Sequence, residues 1–256
     1  MGQDNRPPED GRNLLDRLLP RVMAAAKALA YRTPVLQTPL LPRYPYWVDP
    51  GTLAEMVRLI DEPRTTEGAI VEVGVARGIT SVFMLEHLRT TGDPRPLVMI
   101  DTFSGFTAKD VRHETAHRDR RRRDLANFSY GSAAVLRHSL LRLGYRNFRI
   151  IANDCATVDW QDIGPIAALL CDVDLYQPTL ATLEAVWPLL LPHGGIVIDD
   201  CIEPHWADGS LEAYTQFIEA RALPFVRIGG KAAGIRRDSS SDDRARSTGL
   251  AQTTVA

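Results

Sequence analysis

The chain has 256 residues, of which 45% are hydrophobic and 24% charged, and its formal net charge at pH 7 is −2. This length suits one large α/β domain with an appendage, and the charge excludes a general attraction to nucleic acid or membrane. The N-terminus is polar, and no apolar run approaches the roughly 20 residues that span a bilayer. The three cysteines form no Cys-x-x-Cys pair. We therefore expect free thiols and a soluble, cytoplasmic protein.

The first 50 residues differ in composition from the rest. Residues 1–11 are polar and are predicted to be disordered. Apolar residues at helical spacing then predict a helix over 13–31. Frequent prolines and an aromatic cluster over 33–50 predict an extended loop, which would serve as a lid or an oligomer contact. The polar tail 238–256 is also predicted to be disordered.

From residue 51 to 237, strand and helix patterns alternate. Repeated βα units that end in a hairpin predict a doubly wound α/β sheet whose last strand runs antiparallel. A long polar loop is expected after Asp101. The predicted strands are 70–75, 97–101, 148–152, 166–172 and 195–199, the helices 53–60, 79–89, 132–143, 179–190 and 210–221, and the hairpin 224–228 with 232–236.

A glycine turn follows the first of these strands. Gly74 and Gly78 allow the backbone to approach a ligand at the start of the next helix. Their spacing, Gly-x-x-x-Gly, is not the Gly-x-Gly-x-x-Gly expected for a dinucleotide pyrophosphate. Asp101 ends the next strand, where a carboxylate can accept both hydroxyls of a ribose. Together with Glu72, just before the turn, this arrangement favours S-adenosylmethionine.

Four further residues complete the predicted cofactor site. Two lie in the glycine turn, and two follow the third strand, where they would meet the edge of the adenine: Ala76, Arg77, Asn153 and Asp154. A dinucleotide-dependent oxidoreductase and a non-catalytic nucleotide-binding protein remain as alternatives, because fold alone does not determine activity.

Two later strands also end in acids. Asp172 and Asp174 follow the apolar run 166–171, and Asp199 and Asp200 follow the run 196–198. Ligands of open α/β sheets bind beyond the carboxyl ends of the strands, and carboxylates there suit a hard divalent cation. The sequence therefore predicts a Mg²⁺ site. Asp174 is the alternative ligand, since it needs a local bend to join the others.

Four motifs, taken together, resemble the macrocin O-methyltransferase family: 72–78, 101–106, 172–179 and 194–201. The resemblance implies a Rossmann-like class I methyltransferase domain over 51–237. It implies transfer of a methyl group from S-adenosylmethionine to a sugar hydroxyl in antibiotic or other secondary-metabolite biosynthesis. It also implies a divalent ion bound by Asp172, Asp199 and Asp200. We expect a small-molecule sugar substrate and a homo-oligomer, without nucleic acid or membrane partners.

The sequence specifies the general base and the group that carries the acceptor sugar less closely. Asp172, His205 and His113 are the candidate bases, because a carboxylate in the metal shell or a neutral imidazole can take a hydroxyl proton. The basic run 118–123 fits a solvated helical face or the diphosphate of a nucleotide sugar. It lacks the interleaved aromatic residues that would favour RNA. The family pattern does not include this basic loop, so the acceptor contacts stay open.

Overall fold

The computed structural model describes residues 12–41, 43–62, 67–126, 128–201 and 208–237. The chain divides into two compact units, Met1–Pro45 and Tyr46–Ala256. The first unit contains helices α1 (Arg12–Arg32) and α2 (Pro34–Leu40).

Helix α2 corrects the prediction of an extended loop over 33–50. Pro34 occupies the first turn of this helix, where a missing N–H is not needed and the fixed φ suits a helix. Pro39 falls near its end. Prolines therefore bound this short helix instead of preventing it.

The second unit is built on one seven-stranded sheet. Its strands in chain order are β1 (Ala69–Val73), β2 (Leu97–Asp101), β3 (Phe148–Ala152), β4 (Ile166–Cys171), β5 (Leu190–Ile198), β6 (Val226–Ile228) and β7 (Ala232–Arg236). The order across the sheet is β3-β2-β1-β4-β5-β7-β6. The first five strands are parallel, whereas β7 pairs antiparallel with β5 and β6. The predicted doubly wound sheet with an antiparallel last strand is confirmed.

Within the described residues, six α-helices accompany the sheet: α3 (Pro50–Ile60), α4 (Ile79–Thr91), α5 (Ala108–His117), α6 (Ala133–Arg142), α7 (Tyr176–Val186) and α8 (Gly209–Glu219). Helix α5 corrects the prediction of a long loop after Asp101. Thr107 caps it by accepting a hydrogen bond from the backbone N–H of Asp110. Its buried residues are the acids Asp110 and Glu114, so the hydrophobic periodicity that reveals most helices is missing.

The central strands explain the stability of this sheet. Strands β1 and β4 are buried along their whole length, as expected for parallel strands covered on both faces. Apolar side chains form one cluster on each face of the sheet. All three cysteines are free and buried, as predicted. No helix in the described ranges is long and apolar enough to cross a membrane.

The carboxyl ends of the parallel strands meet along one edge. Beyond β4, the N–H of Asp172 donates to the carbonyl of Val73 at 2.8 Å, and beyond β5 that of Asp199 donates to Cys171 at 2.9 Å. On the other side, Asn153 donates to the carbonyl of Asp101 at 3.0 Å. These bonds extend the sheet by one residue per strand, and they align the predicted site residues along the edge.

Candidate active site

A cavity of about 660 Å³ opens at this edge. The structure brings most of the predicted site residues together in its lining: Gly74, Ala76, Arg77, Asp101, Asn153, Asp154, Asp172, Asp199 and Asp200. Segments outside the predicted site residues complete the wall. They are Trp47, residues of the loops on either side of α5, and Lys231 in the turn between β6 and β7.

Gly74 allows two strand ends to touch. Its φ is +88°, and a Cβ on this residue would lie 1.8 Å from the carbonyl oxygen of Asp172. Only glycine fits such a position, because it has neither the Cβ nor the strain of a left-handed backbone. Gly78, with φ +73°, starts α4 in the same left-handed region. The turn therefore joins the end of β1 to the acids that follow β4.

Asp101 holds the glycine turn in place. Its Oδ2 accepts hydrogen bonds from the backbone N–H groups of Val75 at 2.7 Å and Ala76 at 2.9 Å. Its Oδ1 accepts from Phe103 at 2.6 Å. A carboxylate oxygen has about two acceptor positions, so Oδ1 keeps one for a ligand in the cavity.

Glu72 lies behind the turn and is absent from the described lining of the cavity. Its carboxylate is fully buried and accepts hydrogen bonds from the hydroxyls of Thr80 and Ser81 in α4. Burial raises the pKa of Glu72 to about 7, and the two hydroxyls only partly oppose this. Its position is that of an anchor between β1 and α4.

Three acids converge on the other side of Gly74. One carboxylate oxygen from each of Asp172, Asp174 and Asp200 lies within 4.8 Å of the others. Asp174 and Asp200 have φ values of +60° and +53°, and such left-handed residues provide the local bend that Asp174 was expected to need. Asp199 is not a member of this set. Its Oδ1 is 3.4 Å from the hydroxyl of Thr52, so the converging set differs from the predicted one.

The acids of this region resist ionisation. Burial, followed by repulsion from Asp199, Asp174 and Asp200, raises the pKa of Asp172 well above its usual range. Burial and the adjacent Asp200 do the same for the pKa of Asp174. Burial also raises the pKa of Asp199 to about 6, although Lys231 opposes the shift. A cation among these carboxylates would relieve both desolvation and repulsion.

Lys231 is the charged residue that sequence reasoning missed. Its Nζ lies 2.6 Å from Asp199 Oδ2 and 2.9 Å from Asp200 Oδ1. Residues Ile198 of β5 and Ala233 of β7 are paired in register, so the turn before β7 must lie beside the carboxyl end of β5. The antiparallel hairpin was the signal that could have placed Lys231 at this edge.

The structure does not bring His113 to the described lining of the cavity. Its ring stacks on His117 at 4.7 Å and on Tyr176 at 5.2 Å between centroids. His205 lies outside the described residues.

The first arginines of the basic run 118–123 are engaged in ion pairs. Arg118 forms ion pairs with Glu114 at 2.9 Å and Asp208 at 2.7 Å, and Arg120 also pairs with Asp208. Among the described residues that line the cavity, none comes from 118–123. The prediction of diphosphate binding is therefore wrong for Arg118 and Arg120, because both guanidinium groups already hold carboxylates that join α5 to the start of α8.

Aromatic side chains form part of the cavity rim instead. Phe106, Phe128, Tyr130 and Trp47 all line it. The rings of Phe106 and Phe128 meet edge to face at 5.6 Å between centroids, and the guanidinium of Arg77 lies 5.0 Å from the Trp47 ring. We define these four aromatic residues as the aromatic rim.

Solved structures share this architecture. The O-methyltransferase NovP matches with a TM-score of 0.59 at 20% identity, over 73% of this chain and 80% of its own. The calicheamicin methyltransferase CalS11 matches with a TM-score of 0.58 at 20% identity, over 92% and 97%. A second structure of CalS11 is described as a TDP-rhamnose 3′-O-methyltransferase and matches with a TM-score of 0.51. The fold is that of the class I, Rossmann-like methyltransferases.

The sequence gives the narrower assignment. The model of the macrocin-O-methyltransferase (TylF) family matches residues 52–233, so the chain belongs to this family of O-methyltransferases, as its motifs predicted. A relative from Streptomyces olivaceus is 27% identical over 142 residues. It is the 8-demethyl-8-(2,3-dimethoxy-alpha-L-rhamnosyl)-tetracenomycin-C 4′-O-methyltransferase. The match covers 52% of each protein, so the chain spans about half the length of this relative.

Proposed function

We propose that the protein transfers a methyl group from S-adenosylmethionine to a sugar hydroxyl of a glycosylated natural product, with the help of a divalent cation. The observation that carries this proposal is the sharing of one cavity by a glycine turn and a cluster of three carboxylates. Family membership supports the methyl donor and counts against the dinucleotide-dependent oxidoreductase.

The cofactor would occupy the β1–β3 half of the cavity. Asp101 would accept from the ribose with the acceptor position that remains on Oδ1. The turn from Gly74 to Gly78 would pass close to the methionine portion, and Asn153 and Asp154 would meet the adenine. Glu72 would support this half through Thr80 and Ser81 without touching the cofactor.

The acid cluster fits a divalent ion in its donor chemistry. Asp172, Asp174 and Asp200 offer hard oxygen ligands at one point, which Mg²⁺ prefers. Asp199, the ligand expected from the family resemblance, lies beside this set and shares Lys231 with Asp200. When bound, the ion would lower the pKa of an acceptor hydroxyl.

The chain's own residues would hold the acceptor and receive its proton. Asp172 lies at the junction of the two halves, since its carbonyl faces Gly74 and its carboxylate belongs to the acid cluster. A carboxylate at this junction would take the proton of an acceptor hydroxyl as the methyl group is transferred. We therefore propose Asp172 as the general base. His205 stays a prediction, whereas the stacked position of His113 counts against a direct role.

The aromatic rim supports an acceptor that carries an apolar aglycone. Aromatic faces stack on apolar and sugar surfaces, whereas a nucleotide diphosphate would need free guanidinium groups at the cavity. Arg118 and Arg120 are held by carboxylates. The relative that acts on a rhamnosylated tetracenomycin is consistent with such an acceptor.

A methyl-transfer assay tests the proposal. Purified protein would receive S-adenosylmethionine, Mg²⁺ and either a rhamnosylated aromatic polyketide or TDP-rhamnose, and product mass would be measured. We expect a gain of one methyl group on the glycoside and loss of transfer with EDTA. Replacing Arg121, Arg122 and Arg123 with glutamine should leave the acceptor KM unchanged. Transfer to TDP-rhamnose alone, with a raised KM in that variant, would contradict the acceptor assignment, and no transfer to any sugar would contradict the function.

The homo-oligomer is also a proposal. Apolar side chains are exposed on α1 and α2, among them Leu19, Val22, Leu29 and Val35, and association would cover them. Light scattering after gel filtration would measure the mass. A monomer at micromolar concentration would contradict this proposal.

A further inference from the structure

Asp110 is a buried acid in the wall of the cavity. It lies in the first turn of α5, is only 6% exposed, and lines the cavity. Its Oδ2 accepts a hydrogen bond from the hydroxyl of Thr107 at 2.6 Å, whereas no residue within the described ranges donates to its Oδ1. Because a buried carboxylate oxygen without a donor is unfavourable, Oδ1 is available to a ligand.

Helix capping accounts for only one of the two oxygens. Thr107 and Asp110 have the spacing of a capping box, in which the acid usually accepts from the backbone N–H of the capping residue. Here the N–H of Asp110 donates to the Thr107 hydroxyl at 3.2 Å, and that hydroxyl donates to Oδ2. The first turn of α5 is therefore capped without Oδ1.

Asp110 belongs to the β3 side of the cavity. Burial is the main cause that raises its pKa, and repulsion from Asp154 adds to the shift. Both acids also raise the pKa of the Cys155 thiol, so the three residues lie near one another. Strands β3 and β5 lie on opposite sides of β1. This corner of the cavity is therefore on the far side from the acids that follow β5.

The corner suits the flat faces and the amino group of adenine. Cys155 and Pro178 both line it, and the thiol donates to the carbonyl of Pro178 at 3.7 Å. Asp101, the proposed ribose partner, pairs in register with Ala152 at the end of β3. A base attached to that ribose would extend past β3, where an apolar pocket with a few polar groups can fix its orientation.

We propose that Asp110 accepts a hydrogen bond from the exocyclic amino group of adenine and thereby selects adenine over bases with a carbonyl at that position. This inference rests on the proposed cofactor. It adds a residue of α5 to the contacts expected from Asn153 and Asp154 after β3. An ionised carboxylate only accepts hydrogen bonds, so it favours an N–H donor and repels a carbonyl oxygen.

Titration calorimetry of the full chain with S-adenosylhomocysteine and S-inosylhomocysteine tests the proposal. The second ligand carries a carbonyl oxygen in place of the amino group. Wild type should bind S-adenosylhomocysteine about tenfold more tightly, or better, because the hydrogen bond involves a charged group. Asp110→Asn keeps the size of the side chain and can turn its amide N–H towards the carbonyl. The preference for adenine should therefore fall by about tenfold in this variant.

Asp159→Asn is the matched control. Asp159 is exposed, caps the short turn Trp160–Asp162 and is absent from the described lining of the cavity. This variant should keep the preference of wild type.

The outcomes separate base recognition from a structural role. If Asp110→Asn weakens both ligands by the same factor, the residue only supports α5, and the inference is overturned. It is also overturned if wild type binds both ligands equally, or if the preference survives in Asp110→Asn. A preference that is lost in Asp154→Asn instead would assign it to that acid. If wild type binds neither ligand, the cofactor of the proposed function fails as well.

Discussion

The two halves of the cavity differ in how their carboxylates are compensated. In the β1–β2 half, the carboxylate of Asp101 accepts hydrogen bonds from three backbone N–H groups. These bonds stabilise its negative charge without a ligand. In the β4–β5 half, three carboxylates converge, and their pKa values rise for Asp172 and Asp174. The first half is preorganised, whereas the second stores repulsion that a cation would relieve. The comparison predicts that substitutions in the two halves have opposite effects on stability.

The largest effect is expected for Asp200→Asn. Loss of this proposed metal ligand should lower kcat by about 100-fold or more. Removal of a charge from the cluster should at the same time raise the melting temperature in EDTA, because less repulsion remains. Steady-state kinetics and thermal melting would measure both, with Glu219→Gln, on the exposed end of α8, as the control. A variant that loses activity and also melts lower without metal would break the comparison.

Gly74→Ala should be next. The new Cβ would clash with the carbonyl of Asp172 in a left-handed residue, so we expect a loss of at least about 3 kcal/mol in unfolding free energy. Gly144 has φ +93°, and a Cβ added to it would meet no heavy atom within 4 Å. Gly144→Ala should therefore cost only the backbone strain, about 1 kcal/mol. Equal losses in urea titrations would show that the contact between the halves is unimportant.

Asp101→Ala should weaken the binding of S-adenosylhomocysteine by about tenfold or more, since it removes hydrogen bonds to a charged group. Calorimetry measures this directly. Affinity for Mg²⁺ should not change, because Asp101 lies in the other half. An unchanged affinity for S-adenosylhomocysteine would remove Asp101 from the cofactor site.

A further effect concerns pH. The pKa of Glu72 is about 7 in the folded protein against 4.5 in an unperturbed chain. The folded state therefore binds more protons between these values, and the unfolding free energy falls as pH rises from about 4.5 to 7. Glu72→Gln should remove up to about 3 kcal/mol of this fall. Exposed Glu67→Gln is the control, and identical pH slopes for wild type and Glu72→Gln would contradict the assignment.

The sequence predicted what depends on local patterns. Apolar runs placed β1, β2, β4 and β5, and parallel topology then placed Gly74 and Asp101 at one edge. Helix α5 could not be predicted from hydrophobic periodicity, because its buried residues are the acids Asp110 and Glu114. Glu114 accepts from the N–H of Tyr176, a partner 62 residues away in the chain, and also pairs with the nearby Arg118.

The composition of the acid cluster depended equally on tertiary structure. Asp174, a residue with a left-handed backbone, belongs to the converging set, whereas Asp199 does not, although Lys231 pairs with both Asp199 and Asp200. Neither feature has a local signal strong enough to choose between Asp174 and Asp199. The register of β7 against β5 places Lys231 beside both Asp199 and Asp200.

Thermal melting with each ligand alone tests the central claim most directly. Mg²⁺ and S-adenosylhomocysteine should each raise the melting temperature of the wild-type protein by mass action. Asp200→Asn should lose the shift from Mg²⁺ and keep that from S-adenosylhomocysteine, and Asp101→Ala should show the reverse. A shift from Mg²⁺ that survives in Asp200→Asn, or a shift from S-adenosylhomocysteine that survives in Asp101→Ala, would contradict the division of the cavity into a cofactor half and a metal half.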